Sequence, residues 1–210
     1  MAQTVRKVKA IGSVTTEPVS LATARLHLRL DTLGSPPSHP DDALVTSLIT
    51  VAREAVENFT ELTVAVNNFQ MKLDVFPTAE IDLGTWPVNS ITSVTYVDTN
   101  GTTQTIASTD YVLDTFSKPA QINLAFGKTW PTVRNQPNAV TVTFEAGFTG
   151  GTSPVPNIVP KALTQAMLLT ITDLYETRGD LTYTNFSKNS YSVPVTAQYL
   201  MAPYRINMGV

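Results

Sequence analysis

The sequence contains no cysteine, which excludes disulfide staples, thiolate metal sites and cysteine nucleophiles. It has two histidines, His27 and His39, and neither belongs to a His-x-x-x-His or Glu-x-x-His pair, so a zinc ligand set is missing. A catalytic histidine also needs a partner to orient it; ordinary helix and loop positions account for both. No apolar run approaches the roughly 20 residues of a membrane span, and no membrane partner is expected. The first eleven residues carry Arg6, Lys7 and Lys9 but no apolar signal core or cleavage site. A chain made and used in the cytoplasm, or delivered in a particle, is expected. Charge is also scarce: 15% of residues are charged, for a net charge of −3, so no global basic field draws the chain onto nucleic acid. Sparse charge fits a surface covered by partner subunits. It fits equally a Thr- and Asn-rich β protein with uncharged polarity.

What is present begins with helical periodicity. Residues 19–30 read as a first helix, with Ser20 as N-cap after Pro18, and Leu21, Ala24 and Leu28 on one face. Three prolines and a glycine make 34–40 a loop. Residues 41–60 are the clearest element: Leu44, Val45, Leu48, Ile49, Ala52, Val56 and Phe59 recur at helical steps. Asp41 and Asp42 suit the positive end of its dipole, whereas Glu54, Glu57 and Glu61 lie late in the helix or just past it, where acids are disfavoured. That acidic patch, with Arg53, has either a use beyond the helix or a solvated role. Arg53, Glu54 and Glu57 are therefore candidates for a subunit–subunit face.

The period then changes to two. Phe69, Met71, Leu73 and Val75 alternate with polar residues, and further short strands are expected at 81–83, 91–97, 103–106, 111–113, 121–126 and 139–144. Asn100-Gly101 marks a hairpin between two of them. Helix returns from Pro160, expected as a first helical residue, with Leu163, Met167, Ile171 and Leu174 in a stripe closed by Arg178-Gly179. A polar stretch, 180–192, precedes a last short helix at 195–201. The fold class is thus α+β: a helical bundle formed from both chain ends, with an inserted antiparallel β module, a sandwich or small barrel. The domain reading is a mobile basic arm at 1–16, helical core at 17–66, β insertion at 67–149, and second helical half plus C-terminal arm at 150–210. In that arm Tyr204, Ile206 and Met208 form an alternating apolar edge that suits strand addition to a partner, with Arg205 available to pair with an acid.

Enzyme signatures are absent. Gly147-Phe148-Thr149-Gly150-Gly151-Thr152 lacks the lysine of a phosphate loop and reads as a flexible connection; no Gly-x-Ser-x-Gly elbow occurs. Asp41 and Asp42 are adjacent on a helix and diverge by about 100°, so they do not form a metal pair. Trp86, Tyr96, Phe126 and Trp130 lack interleaved basic residues and read as core.

Six segments in order resemble the head–tail connector (adaptor) family of tailed bacteriophages, prophages and gene transfer agents. They are Glu17-Pro18-Val19-Ser20-Leu21 with His27-Leu28-Arg29-Leu30-Asp31; Asp41-Asp42-Ala43-Leu44 with Ala52-Arg53-Glu54-Ala55-Val56-Glu57; Trp86-Pro87-Val88 with Ser90-Ile91-Thr92-Ser93-Val94 and Asn100-Gly101; Trp130-Pro131 with Asn138-Ala139-Val140-Thr141-Val142; Val159-Pro160-Lys161-Ala162-Leu163 with Leu174-Tyr175-Glu176-Thr177-Arg178; and Tyr199-Leu200-Met201-Ala202-Pro203-Tyr204-Arg205. The loops 32–40 and 180–192 are longer than is usual in the family. The resemblance implies a structural subunit, not an enzyme, with no cofactor and no metal. It implies a ring of copies of itself, usually dodecameric, beneath the portal protein, with a stopper or tail-completion protein on the other side. Genome DNA would pass through the lumen without specific binding, and the location would be the virion neck, reached from the host cytoplasm during assembly. The alternatives are another neck or tail ring protein (a stopper or tail terminator), a carbohydrate- or receptor-binding β module, and an enzyme with a dispersed site.

Overall fold

Helix formation begins where the sequence supplies a cap. In the computed structural model, which describes residues 7–148, 158–177 and 194–206, the Ser20 side chain accepts a hydrogen bond from the Thr23 backbone N–H at 3.1 Å and opens α1, Leu21–Leu28. This satisfies one of the donors a helix start leaves free. The helix is shorter than its periodicity because Arg29 turns left-handed, at φ 56°, and the chain leaves the helical path there. α2 spans Asp42–Thr60 and buries Val45, Ile49, Ala52 and Val56, as expected, but also Arg53 and Thr60. Leu44, Leu48 and Phe59, expected in the same stripe, are half-buried at its edges.

α3, Lys161–Glu176, buries Leu163, Ala166, Met167, Leu168, Thr170 and Ile171. Pro160 stands just before it with extended ψ of 136° rather than as its first helical residue. α4 is Val195–Met201 and continues into a 3-10 turn, Ala202–Tyr204. α2 packs on α3, α3 on α4, and α1 on both α2 and α3. The helices from the two halves of the sequence therefore form one bundle, the described part of 16–60 with 159–205. The expected close at Arg178-Gly179, the stretch 180–192, and Met208 lie outside the described residues.

The other unit takes the described residues of 1–15, 61–158 and 206–210. Its strands are β1 Lys7–Ala10, β2 Asn67–Leu73, β3 Ile81–Asp82, β4 Val88–Val97, β5 Thr103–Thr105, β6 Tyr111–Asp114, β7 Gln121–Leu124 and β8 Val140–Ala146. They form a five-stranded sheet, β1-β2-β8-β4-β5, and a three-stranded sheet, β3-β7-β6, antiparallel throughout. Both contribute to one core: Met71, Val94, Val140, Val142 and Phe144 from the first, Ile81 and Ile122 from the second. Neither sheet closes into a barrel. Strict alternation in β8 gives it one buried face, Val140, Val142, Phe144 and Ala146, and its pairing with β2 on one side and β4 on the other makes it the central strand.

Three local expectations are corrected. β7 stops at Leu124, and Phe126 stands fully exposed in the following turn instead of in the core. The β4–β5 hairpin uses a longer loop in which Gly101 alone takes a positive φ, 87°, while Asp98 Oδ1 accepts from the N–H groups of Asn100 and Thr102 at 2.9 Å each. Gly147 is not a flexible spacer. At φ 124°, a Cβ there would lie 2.5 Å from the Ala65 carbonyl oxygen, so a bare backbone is required for close approach.

Candidate assembly interface

Arg53 lies three residues before Val56 and four after Ile49, so helical geometry places it on the buried face of α2. A buried guanidinium demands partners. Its Nε donates to Glu17 Oε2 at 2.9 Å, and its Nη1 donates to Glu57 Oε2 at 2.6 Å. Its Nη2 lies 3.6 Å from Glu54 Oε1. Thr50 Oγ1 fixes the other Glu17 oxygen at 3.0 Å. Burial opposes the arginine's charge, but the Glu57 and Glu17 carboxylates reverse that and hold its pKa above the ordinary arginine value. Three carboxylates thus surround one cation. Glu17 and Glu57 face inward, while the Glu54 side chain is 59% exposed and carries the acidic excess to the surface.

A second polar cluster fixes the start of α2. Arg25 Nε donates to Asp42 Oδ1 at 2.6 Å, Nη2 pairs with Asp42 Oδ2, and Nη1 donates to the Pro37 carbonyl at 3.1 Å. The His39 N–H also donates to Asp42, and His39 Nδ1 accepts from the Asp41 N–H at 3.0 Å. The Arg25 fork and the His39 N–H hold the Asp42 carboxyl below its ordinary pKa. Tyr175 Oη donates to Asp41 Oδ2 at 2.5 Å and joins α3 to this end of α2. Leu33 and Ser38 exchange backbone hydrogen bonds of 3.0 Å and close the proline loop on itself. Helix-dipole complementarity alone therefore understates Asp41 and Asp42, whose side chains bind other elements.

Of the C-terminal candidates, Tyr204 is half-buried in the 3-10 turn, the exposed Arg205 lies 5.7 Å from the centroid of the Phe59 ring, and Ile206 is buried. Sequence reasoning missed Glu17 and Thr50. Their signal was an arginine at an apolar stripe position, which calls for carboxylates from another segment. Among the described residues no group of His, Asp and Glu side chains is placed to hold a metal ion. No helix there is long and apolar enough to cross a membrane.

No family model and no curated protein matches the sequence. Solved structures do match. A chain in the neck of the empty gene transfer agent (GTA) particle, computed with C6 symmetry, aligns with TM-score 0.75 and 22% identity, covering 97% of each chain. The chain has a GTA-neck fold. A chain in the virion of the native GTA particle aligns at TM-score 0.73 and 22% identity, again over 97% of each. One in the neck of the native particle, computed with C12 symmetry, aligns at 0.72 and 21% over the same share. The GTA-neck fold therefore includes both the helical bundle and the two sheets of this chain, not one of them alone.

Proposed function

We propose that this chain is a structural head–tail connector subunit, which forms a ring with copies of itself under the portal and joins the DNA-filled head to the tail. The observation that carries this reading is the GTA-neck fold over 97% of the chain, in neck structures computed with sixfold and twelvefold symmetry. The six sequence segments that resemble connectors lie in both units and support the same reading. A ring of identical subunits needs two different faces on each copy. In the helical unit, Glu54 presents the acidic excess of the Arg53 cluster outward, and α4 presents Val195 and Tyr199, one turn apart, at 63% and 76% exposure. We assign subunit contacts to these exposed groups, with Arg53 and Glu57 supporting Glu54 from within. Of the C-terminal candidates, the exposed Arg205 with the half-buried Tyr204 beside it forms the portal-side contact in this reading, joined by Met208, whereas Ile206 is buried within the subunit and supports that contact from behind. The work of such a subunit is positional, without catalysis. The extended helical bundle argues against a stopper or tail terminator, for which a β core without long flanking helices is expected.

The test is native mass spectrometry and electron microscopy of the protein mixed with its portal. A discrete ring on the portal is expected, twelve copies in the usual form of the family. Glu54→Lys should weaken ring formation while leaving thermal unfolding of the subunit unchanged. A subunit that stays monomeric on the portal, or binds it without ring closure, overturns the connector reading.

A further inference from the structure

The register of the five-stranded sheet aligns three rows of side chains on the face away from the core. The first row is Lys7, Lys72, Thr141, Thr95 and Thr105; the second is Lys9, Gln70, Thr143 and Ser93; the third is Asn68, Glu145 and Ser90. None of these side chains is apolar. By alternation, Ile11 just past β1 and Val97 at the end of β4 border the rows. Three lysines therefore gather at the β1–β2 edge of a chain whose net charge is −3. Lys7 and Lys72 stand directly opposite each other, an arrangement that disfavours the strand pair. Asp74, 3.5 Å from Lys7, offsets one of them, and Asn138 Oδ1 accepts from the same Nζ at 3.0 Å. Lys9 and Lys72 have no carboxylate within ion-pair distance among the described residues. Asn89, not a lysine, donates to Glu145, at 3.2 Å.

We propose that this face contacts the phosphate backbone of duplex DNA, without regard to sequence. Protein interface cores are enriched in aromatic side chains, Met and Arg and depleted in Lys and Ser, the reverse of these rows. Phosphate backbones are contacted by lysine together with hydroxyl and amide side chains, which is what the rows offer. The rows lie within the sheet and offer no helix or two-stranded ribbon to enter a groove, so base edges go unread. The contact is read from the chemistry of the sheet and stands apart from ring formation.

The test is fluorescence anisotropy of a labelled random-sequence duplex, titrated with the full-length protein at several salt concentrations. Two or three neutralised phosphates predict a log–log salt slope of about −1.8 to −2.7, so binding weakens at least about twelvefold between about 50 and 200 mM salt. The double variant Lys9→Glu/Lys72→Glu should lose most of the low-salt affinity, whereas Lys118→Glu/Lys128→Glu, on the same unit but away from the face, should keep it. If the charge reversals unfold the sheet, Lys9→Gln/Lys72→Gln should show the same loss, with the salt slope shallower by about 1.8. Equal binding by the face variants and wild type overturns the proposal, as does absence of binding at low salt. So does a face variant that keeps DNA binding but loses self-association, which would assign the lysines to an acidic protein partner. Ring formation on the portal, measured separately, tells failure of this contact from failure of the connector reading.

Discussion

Arg53 shows how one residue couples stability to surface charge. Its guanidinium is nearly buried, with a 9% exposed side chain among three carboxylates. Arg53→Met would leave Glu17 and Glu57 close together without their cation. Removing one member of a buried charge pair costs about 3–5 kcal/mol, so chemical denaturation should show a loss of that order. Glu54→Gln, at the exposed corner, should change stability by less than about 1 kcal/mol. A second effect depends on pH. The folded-state pKa of Asp42 is depressed by Arg25, so its contribution is fully present above the ordinary carboxylate range. It is lost as pH falls through the depressed value. Thermal unfolding below about pH 4 should therefore be less pH-dependent in Asp42→Asn than in wild type. The sequence displayed the arginine and its i+4 partner Glu57, but Glu17 comes from the segment before α1, and no local periodicity announces that pairing.

At the scale of elements, boundaries were legible where a residue dictates its own backbone. Ser20 capped α1, and the strand expected at 139–144 is β8, Val140–Ala146, whose alternation sets its buried face. Departures came where tertiary context overrode local pattern. Phe126 looks like a core aromatic, yet β7 ends before it at a turn with Gly127 at φ 73°. Phe59 completes an apolar stripe but lies under Arg205 at the edge of the bundle. The packing of α2 on α3 is the contact on which the bundle depends. Leu163 is fully buried in α3, so Leu163→Ala should destabilise by about 2–5 kcal/mol, and Leu163→Asp should prevent stable folding. Tyr199→Ala, on the open side of α4, should leave the melting temperature nearly unchanged, within about 0.5 kcal/mol. Circular dichroism melts of the three variants decide this.

For the whole molecule, the change of period from helical to alternating and back identified an α+β chain whose ends build one bundle. That topology was legible because apolar stripes without partners must find each other. The polar sheet face was not legible. Threonines, serines and lysines alternate with core residues in any half-buried strand, and only the register of five strands places them side by side. The same topology has a consequence during synthesis. α2 leaves the ribosome after β1 but before β2–β8, and its partner α3 follows only after about 100 residues, or roughly 5–20 s of translation. For that interval Val45, Ile49 and Val56 have no α3 to cover them. The β strands, whose partners are all present before α3 is made, are free to fold first. The nascent chain is thus left with a sticky helix during the wait, and its yield in a cell depends on how fast the intervening sheets fold and on whether a chaperone shields that stripe.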